Sequence, residues 1–127
     1  MQTTGITLLL DLYDCKSPAI NNEAVLDQLF VNALQFAGFE VVDQLAQHFP
    51  SQGAVIVCVL RDAHASLRTW PESGFVSADV YAYGKPEAAR AALEIVRGYL
   101  AQKLIARSVQ ARWIERGGEA AAMAGRS

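Results

Sequence analysis

The residues best equipped for chemistry crowd into one stretch at the middle of the chain. It reads Arg61-Asp62-Ala63-His64-Ala65-Ser66-Leu67-Arg68-Thr69-Trp70-Pro71-Glu72. A histidine can move a proton near neutral pH, whereas an arginine stays protonated and can only bind, pair or stack. Glu72 offers a carboxylate that accepts hydrogen bonds, and Phe49, upstream, offers a flat apolar face. Asp11 stands inside the apolar run Leu8-Leu9-Leu10-Asp11-Leu12. A carboxylate there needs a partner or a wet cavity, or it lies on a polar sheet face. Each residue also has a plainer role open to it. Phe49-Pro50 can simply end a strand, Trp70 can be core, and Glu72 can be a surface charge in a turn. His64, alone in a turn, reads as structural rather than catalytic. Cys15 and Cys58 are the only cysteines, and their spacing fits no zinc pattern, so no metal site is expected. They read as two reduced thiols in or beside apolar strands.

The elements around that stretch follow from periodicity. Residues 4–14 form a near-continuous apolar run that suits a central strand. Pro18 and Asn21-Asn22 mark a loop, and a helix is expected over about 22–37. Its buried stripe is Val25, Leu29, Ala33 and Phe36, broadened by Leu26, Phe30 and Ala37, with Gly38 as the C-terminal cap. Phe39 to His48 reads as a strand, and Ser51-Gln52-Gly53 as a turn. Ala54 to Leu60 is the most β-prone segment. A tight turn around 61–64 precedes a strand over 65–70. Pro71-Glu72-Ser73-Gly74 turns again, and Phe75 to Tyr83 alternates like a strand. Pro86 opens a second helix that buries Ala89, Ala92, Leu93, Val96 and Leu100. Gly98 costs that helix about 1 kcal/mol relative to alanine, so a close packing contact is expected there. Val109, Ala111 and Trp113 alternate with Gln110 and Arg112 in a last strand. The order is strand, helix, two or three antiparallel strands, helix, strand. That is an α+β two-layer sandwich, an antiparallel sheet with two helices on one face.

The chain has 127 residues, 52% hydrophobic, with net charge −2, which suits one soluble domain spanning 1–117. Residues 118–127 carry no periodic pattern and are expected to be a disordered tail. The charge balance gives no support for nucleic acid or a membrane surface as partner. No apolar run approaches the roughly 18 residues of a membrane span. The N-terminus lacks a basic region and cleavage site, so a cytoplasmic protein is expected.

Thr69-Trp70-Pro71-Glu72 together with His64 resembles the core motif of the small bacterial S-adenosylmethionine decarboxylases, which make the aminopropyl donor for spermidine. Gly74 and Asp79 continue the match, Gly5, Asp11, Tyr13 and Cys15 resemble the family's first strand, and the resemblance covers roughly residues 4–116. It implies a pyruvoyl-dependent proenzyme that dimerises and places its sites near the subunit interface. It also implies that Phe49 stacks on adenine, Glu72 binds the ribose hydroxyls and Trp70 walls the pocket, with Asp11 and His64 as further pocket candidates. Arg68 then stacks on the adenine opposite Phe49, fills the slot itself, or pairs with Glu72 or Asp11.

The departures fall on the chemistry. The family's processing serine is Ala63, its histidine is Arg68 and its cysteine is Tyr83. Pyruvoyl formation needs a serine hydroxyl to attack the preceding carbonyl, and alanine has none, so no cofactor is expected. Without that carbonyl there is no electron sink for decarboxylation. Ser66, Ser73 and Ser77 do not occupy the processing position. The expectation is a non-processing, catalytically inactive homologue that binds an adenine nucleoside or a partner subunit, as a homodimer or with an active paralogue. The alternatives are an enzyme of altered chemistry and a structural dimer module.

Overall fold

The computed structural model describes residues 4–50 and 53–118. Six strands form one antiparallel sheet: β1 (Thr4–Tyr13), β2 (Val41–Phe49), β3 (Gly53–Leu60), β4 (Ala63–Trp70), β5 (Phe75–Tyr83) and β6 (Ser108–Gly117). Their spatial order is β2-β3-β4-β5-β1-β6, so β1 lies between β5 and β6. Helices α1 (Glu23–Phe36) and α2 (Pro86–Lys103) pack on the sheet, α1 against β2 and β3, α2 against β1 and β5. This is the expected α+β sandwich, with four strands between the helices rather than two or three.

Strand alternation decides which residues reach the core. Leu8, Leu10 and Leu12 of β1, Ile56 and Cys58 of β3, Leu67 of β4 and Val76 and Val80 of β5 point to the helices and are fully buried. Phe30 and Leu34 of α1 and Leu93, Val96 and Leu100 of α2 meet them. The other parity faces away from both helices, so the second face of the sheet is open.

Helix α1 starts at an Asn22 cap whose side chain accepts from the Val25 amide. It ends in a Schellman closure: Phe39 N–H donates to Leu34 O, and Gly38 N–H to Gln35 O, with Gly38 at φ +100°. Phe39 therefore belongs to the helix stop, and β2 begins at Val41. The buried stripe of α1 is Leu26, Phe30, Ala33 and Leu34, whereas Val25 and Phe36 are 46% and 72% exposed. The expected stripe is thus rotated: the helix is apolar on most sides, and sheet contact selects one of two adequate faces. In α2, Pro86 occupies the first turn as expected. Gly98 makes no close packing contact, since a Cβ added there meets nothing within 4 Å. Its cost to the helix is not offset locally.

The β3–β4 turn is also tighter than expected. Leu60 pairs with Ala63, leaving Arg61 and Asp62 as a two-residue loop with Asp62 at φ +63°. Aspartate tolerates this left-handed region better than most residues. The expected tail lies outside the described residues, apart from Gly118. Among the described residues no helix is long and apolar enough to cross a membrane.

Candidate functional site

The open face of the sheet collects most of the chemically capable side chains, because His64, Ser66, Arg68 and Trp70 share one parity of β4. Antiparallel register sets them against Tyr81, Asp79, Ser77 and Phe75 of β5 in turn. The His64 ring stacks on Tyr81, with centroids 5.4 Å apart. The Ser66 hydroxyl donates to Asp79 Oδ1 in a short hydrogen bond. Tyr81 in turn lies over Gly5 of β1, where a Cβ would come within 2.6 Å of its ring. Only glycine leaves room for that ring. The Arg116 guanidinium, opposite Gly5 on β6, sits 5.6 Å from the same ring's centroid and donates to Thr7 Oγ1 at 3.1 Å.

At the other end of β4 the face is aromatic. The Arg68 guanidinium lies 4.9 Å from the Phe49 ring centroid and 5.1 Å from that of Trp70. Trp70 packs on Phe75 and Phe75 on Tyr13, each pair at 5.4 Å. Glu72 follows in the exposed 3-10 turn Pro71–Ser73, closed by Gly74 in the left-handed region. This end is built by β2 delivering Phe49 opposite Gly53, whose φ of +85° turns the chain tightly. An added Cβ at Gly53 would lie 2.2 Å from Thr69 O, so that close approach also needs glycine.

Asp11 lies on β1 opposite Ser77, level with Arg68, and pairs with Arg112 at 3.5 Å. With Leu9, Ser77, Asp79 and Arg112 it lines a shallow depression of about 240 Å³. The Asp11 carboxylate thus has its partner on β6. The hairpin tip is tethered elsewhere: Arg61 makes a two-pronged ion pair with Glu40, both contacts 3.1 Å. That pairing holds the Glu40 carboxyl below its usual range and raises Arg61. Both groups are exposed, so the pair adds little stability. The thiols of Cys15 and Cys58 are both buried, and burial pushes each up to about 11. Among the described residues no group of three or more His, Cys, Asp or Glu side chains is placed to hold a metal ion.

A family model described as S-adenosylmethionine decarboxylase matches residues 6–117. The chain belongs to that family. Among similar proteins, the S-adenosylmethionine decarboxylase proenzyme of Aquifex aeolicus is 31% identical over 113 residues, covering 89% of this chain and 84% of its own. The proenzyme of Bacillus cytotoxicus is 32% identical over 117 residues, 92% of this chain and 87% of its own. The crystal structure of the Aquifex aeolicus adenosylmethionine decarboxylase superposes with a TM-score of 0.78 at 28% identity, covering 92% of this chain and 93% of that one.

The three positions expected to depart from the S-adenosylmethionine decarboxylase family motif, Ala63, Arg68 and Tyr83, do not all meet within one chain. Ala63 is the first residue of β4, partly buried against the core. Register places Ala63 level with Ala82, so Tyr83, half-exposed at the end of β5, lies at the same end of the sheet. Arg68 is opposite Ser77, six residues along β5 from Tyr83, or about 20 Å at strand rise. Phe49, Arg68, Trp70 and Glu72 therefore cluster at one end, with Ala63, His64 and Tyr83 at the other. Sequence reasoning did not find the Ser66–Asp79 and His64–Tyr81 pairs or the roles of Arg112 and Arg116. The polar parity of β5 was visible as Ser77, Asp79 and Tyr81, but its partners depend on register.

Proposed function

We propose that this chain is a non-processing member of the S-adenosylmethionine decarboxylase family, tied to spermidine biosynthesis through a partner subunit rather than through its own catalysis. The observation that carries the reading is the hairpin at Ala63. The residue that would have to attack the Asp62 carbonyl ends in a methyl group. The nearest downstream serine hydroxyl, that of Ser66, is on the opposite parity of β4 and engaged by Asp79. A pyruvoyl group does not fit these residues. Arg68 brings a guanidinium in place of an imidazole, and Tyr83 brings bulk in place of a thiol.

Two features support a subunit on the open face. First, that face exposes Leu45, Val57, Val59, Tyr83 and Ile114 without cover. Second, the two half-clusters are about 20 Å apart in one chain. A second subunit related by a two-fold axis brings its opposite end to each. Paired with a processing paralogue, this chain would lend Phe49, Trp70 and Glu72 to the paralogue's serine end. Light scattering tests the face contact: a mass of at least two chains is expected, and Val57→Lys on the open face should halve it. A single-chain wild type at micromolar concentration overturns the reading. Carbon dioxide release from S-adenosylmethionine by the protein alone overturns the non-catalytic part.

A second reading, a nucleoside ligand, is favoured by Glu72 standing exposed beside the Phe49–Arg68–Trp70 cluster. Arg68 lies against Phe49, so an adenine must displace it or stack on its outer plane. Its fixed charge beside a sulfonium costs about 1 to 4 kcal/mol at roughly 4 Å, depending on the dielectric. A neutral thioether nucleoside should therefore bind better than S-adenosylmethionine. Calorimetry with both ligands and with Glu72→Gln decides it: equal binding by the variant removes this reading.

A further inference from the structure

The sheet has two free edges, and they differ in kind. β6 carries Arg112, Glu115 and Arg116, charges of the sort that discourage strand addition. β2, Val-Val-Asp-Gln-Leu-Ala-Gln-His-Phe, holds one carboxylate, no lysine, no arginine and no proline, and its Leu45 is 67% exposed. Its irregularity is confined to Val41/Asp43, which leaves Asp43 to Phe49 as a regular ladder.

The outward-pointing groups of that ladder can be assigned. Ala54, opposite His48, sends its N–H to Thr69 Oγ1 on the β4 side, so His48 is not hydrogen-bonded to β3 in that pair. Alternation then makes Gln44, Ala46 and His48 the residues whose N–H and C=O face outward. Two side-chain contacts agree. The Gln44 N–H donates to Asp43 Oδ1 at 2.8 Å, and the His48 carbonyl accepts from Gln47 Nε2 at 3.1 Å. Neighbouring side chains thus cap two of the six edge groups that a strand would otherwise use.

We propose that β2 pairs antiparallel with β2 of a second copy, about a two-fold axis at Ala46. In that register Ala46 faces Ala46, and Gln44 faces His48 of the other copy. The Gln44 N–H and the His48 carbonyl then meet each other, replacing their side-chain caps, within a ladder of about six hydrogen bonds. Leu45 faces Gln47, Asp43 faces Phe49, and no like charges oppose. The two Leu45 side chains lie diagonally across the axis and cover each other. A second copy is the occupant because the strand is complementary to itself, as an isologous contact requires. This contact uses the edge, not the open face, and stands whether or not the face reading holds.

Ala46→Pro tests it. The amide it removes is one that β3 does not use, and proline is tolerated at such edge positions. Light scattering at high micromolar concentration should show the mass halved relative to wild type, from four chains to two where the face contact also holds, or from two to one where it does not. His48→Pro, at another amide that β3 does not use, should act in the same direction, with circular dichroism confirming that both variants fold. Ala46→Cys, placed on the axis, should give a disulfide-linked dimer on a non-reducing gel, since paired strand positions fall within disulfide reach. The buried native thiols do not compete. Val57→Lys affects the face contact alone, so the two interfaces fail separately. A wild-type mass of one chain, or unchanged mass in Ala46→Pro and His48→Pro with no cross-linking of Ala46→Cys, overturns the proposal.

Discussion

Arg68→Ala removes the cation that lies 4.9 Å from the Phe49 ring and 5.1 Å from the Trp70 ring. Cation–π contacts contribute about 0.5 to 1 kcal/mol each at exposed sites and more when desolvated. Arg68 is partly buried, so the two together should contribute about 1 to 2 kcal/mol. For a domain of this size that corresponds to a fall in Tm of about 4 to 8 °C. The total alone does not identify the cause, because the arginine stem also packs. A double-mutant cycle isolates the ring contact. Urea unfolding of Arg68→Ala, Phe49→Leu and the double variant should give a coupling of about 0.5 to 1 kcal/mol. Arg68→Lys should recover less than half of it, since an ammonium lacks the flat guanidinium face. Additivity of the two single variants within about 0.3 kcal/mol would refute the stack as an energetic feature.

Further outcomes follow from the same geometry. Ala63→Ser should leave one full-length chain by intact mass and release no carbon dioxide from S-adenosylmethionine, because proton-transfer groups act as a unit and Arg68 and Tyr83 remain; two fragments parting between residues 62 and 63 would count against this. Gly98→Ala should stabilise the protein by about 0.5 to 1 kcal/mol in the same unfolding assay, since the added methyl meets nothing within 4 Å in α2. The folded chain holds its thiol protons more tightly than the unfolded chain does, because burial pushes Cys15 and Cys58 up to about 11. Stability is therefore unaffected by them below about pH 8.5 and falls as pH climbs from there to about 11, by about 2 to 3 kcal/mol per thiol. Cys58→Ala should flatten that alkaline loss, and an identical loss in the variant between pH 8 and 10.5 would contradict it.

The strands were legible because their signals are local. β5 alternates without exception, and its Val76, Ala78, Val80 and Ala82 are buried as the pattern requires. Helix α1 was legible as a helix but not in its orientation. Val25-Leu29-Ala33-Phe36 fits the helical period as well as Leu26-Phe30-Ala33-Leu34, and only the sheet beneath decides between them. The residues of the candidate site were found through a motif, while their partners were not. Arg68 meets Phe49 because β2 and β4 flank β3 in a fixed register, and Ser66 meets Asp79 because the turn at Pro71–Gly74 sets the offset of β5. Turn length and strand order carry that information, and neither is written in residue type. The edge position of β2 was invisible for the same reason.

The strand order has one further consequence. Divide the chain at the Arg61–Asp62 loop, and the first piece contributes β2, β3 and β1, the second β4, β5 and β6. In space these do not separate into left and right halves. β4 seals against β3, and β1 from the first piece is inserted between β5 and β6 of the second. The pieces are joined along three seams of main-chain hydrogen bonds and share one core. A broken backbone at that hairpin therefore releases nothing: the fold is a ready-made system for fragment complementation, with the break at an exposed tip that carries none of the structure's continuity.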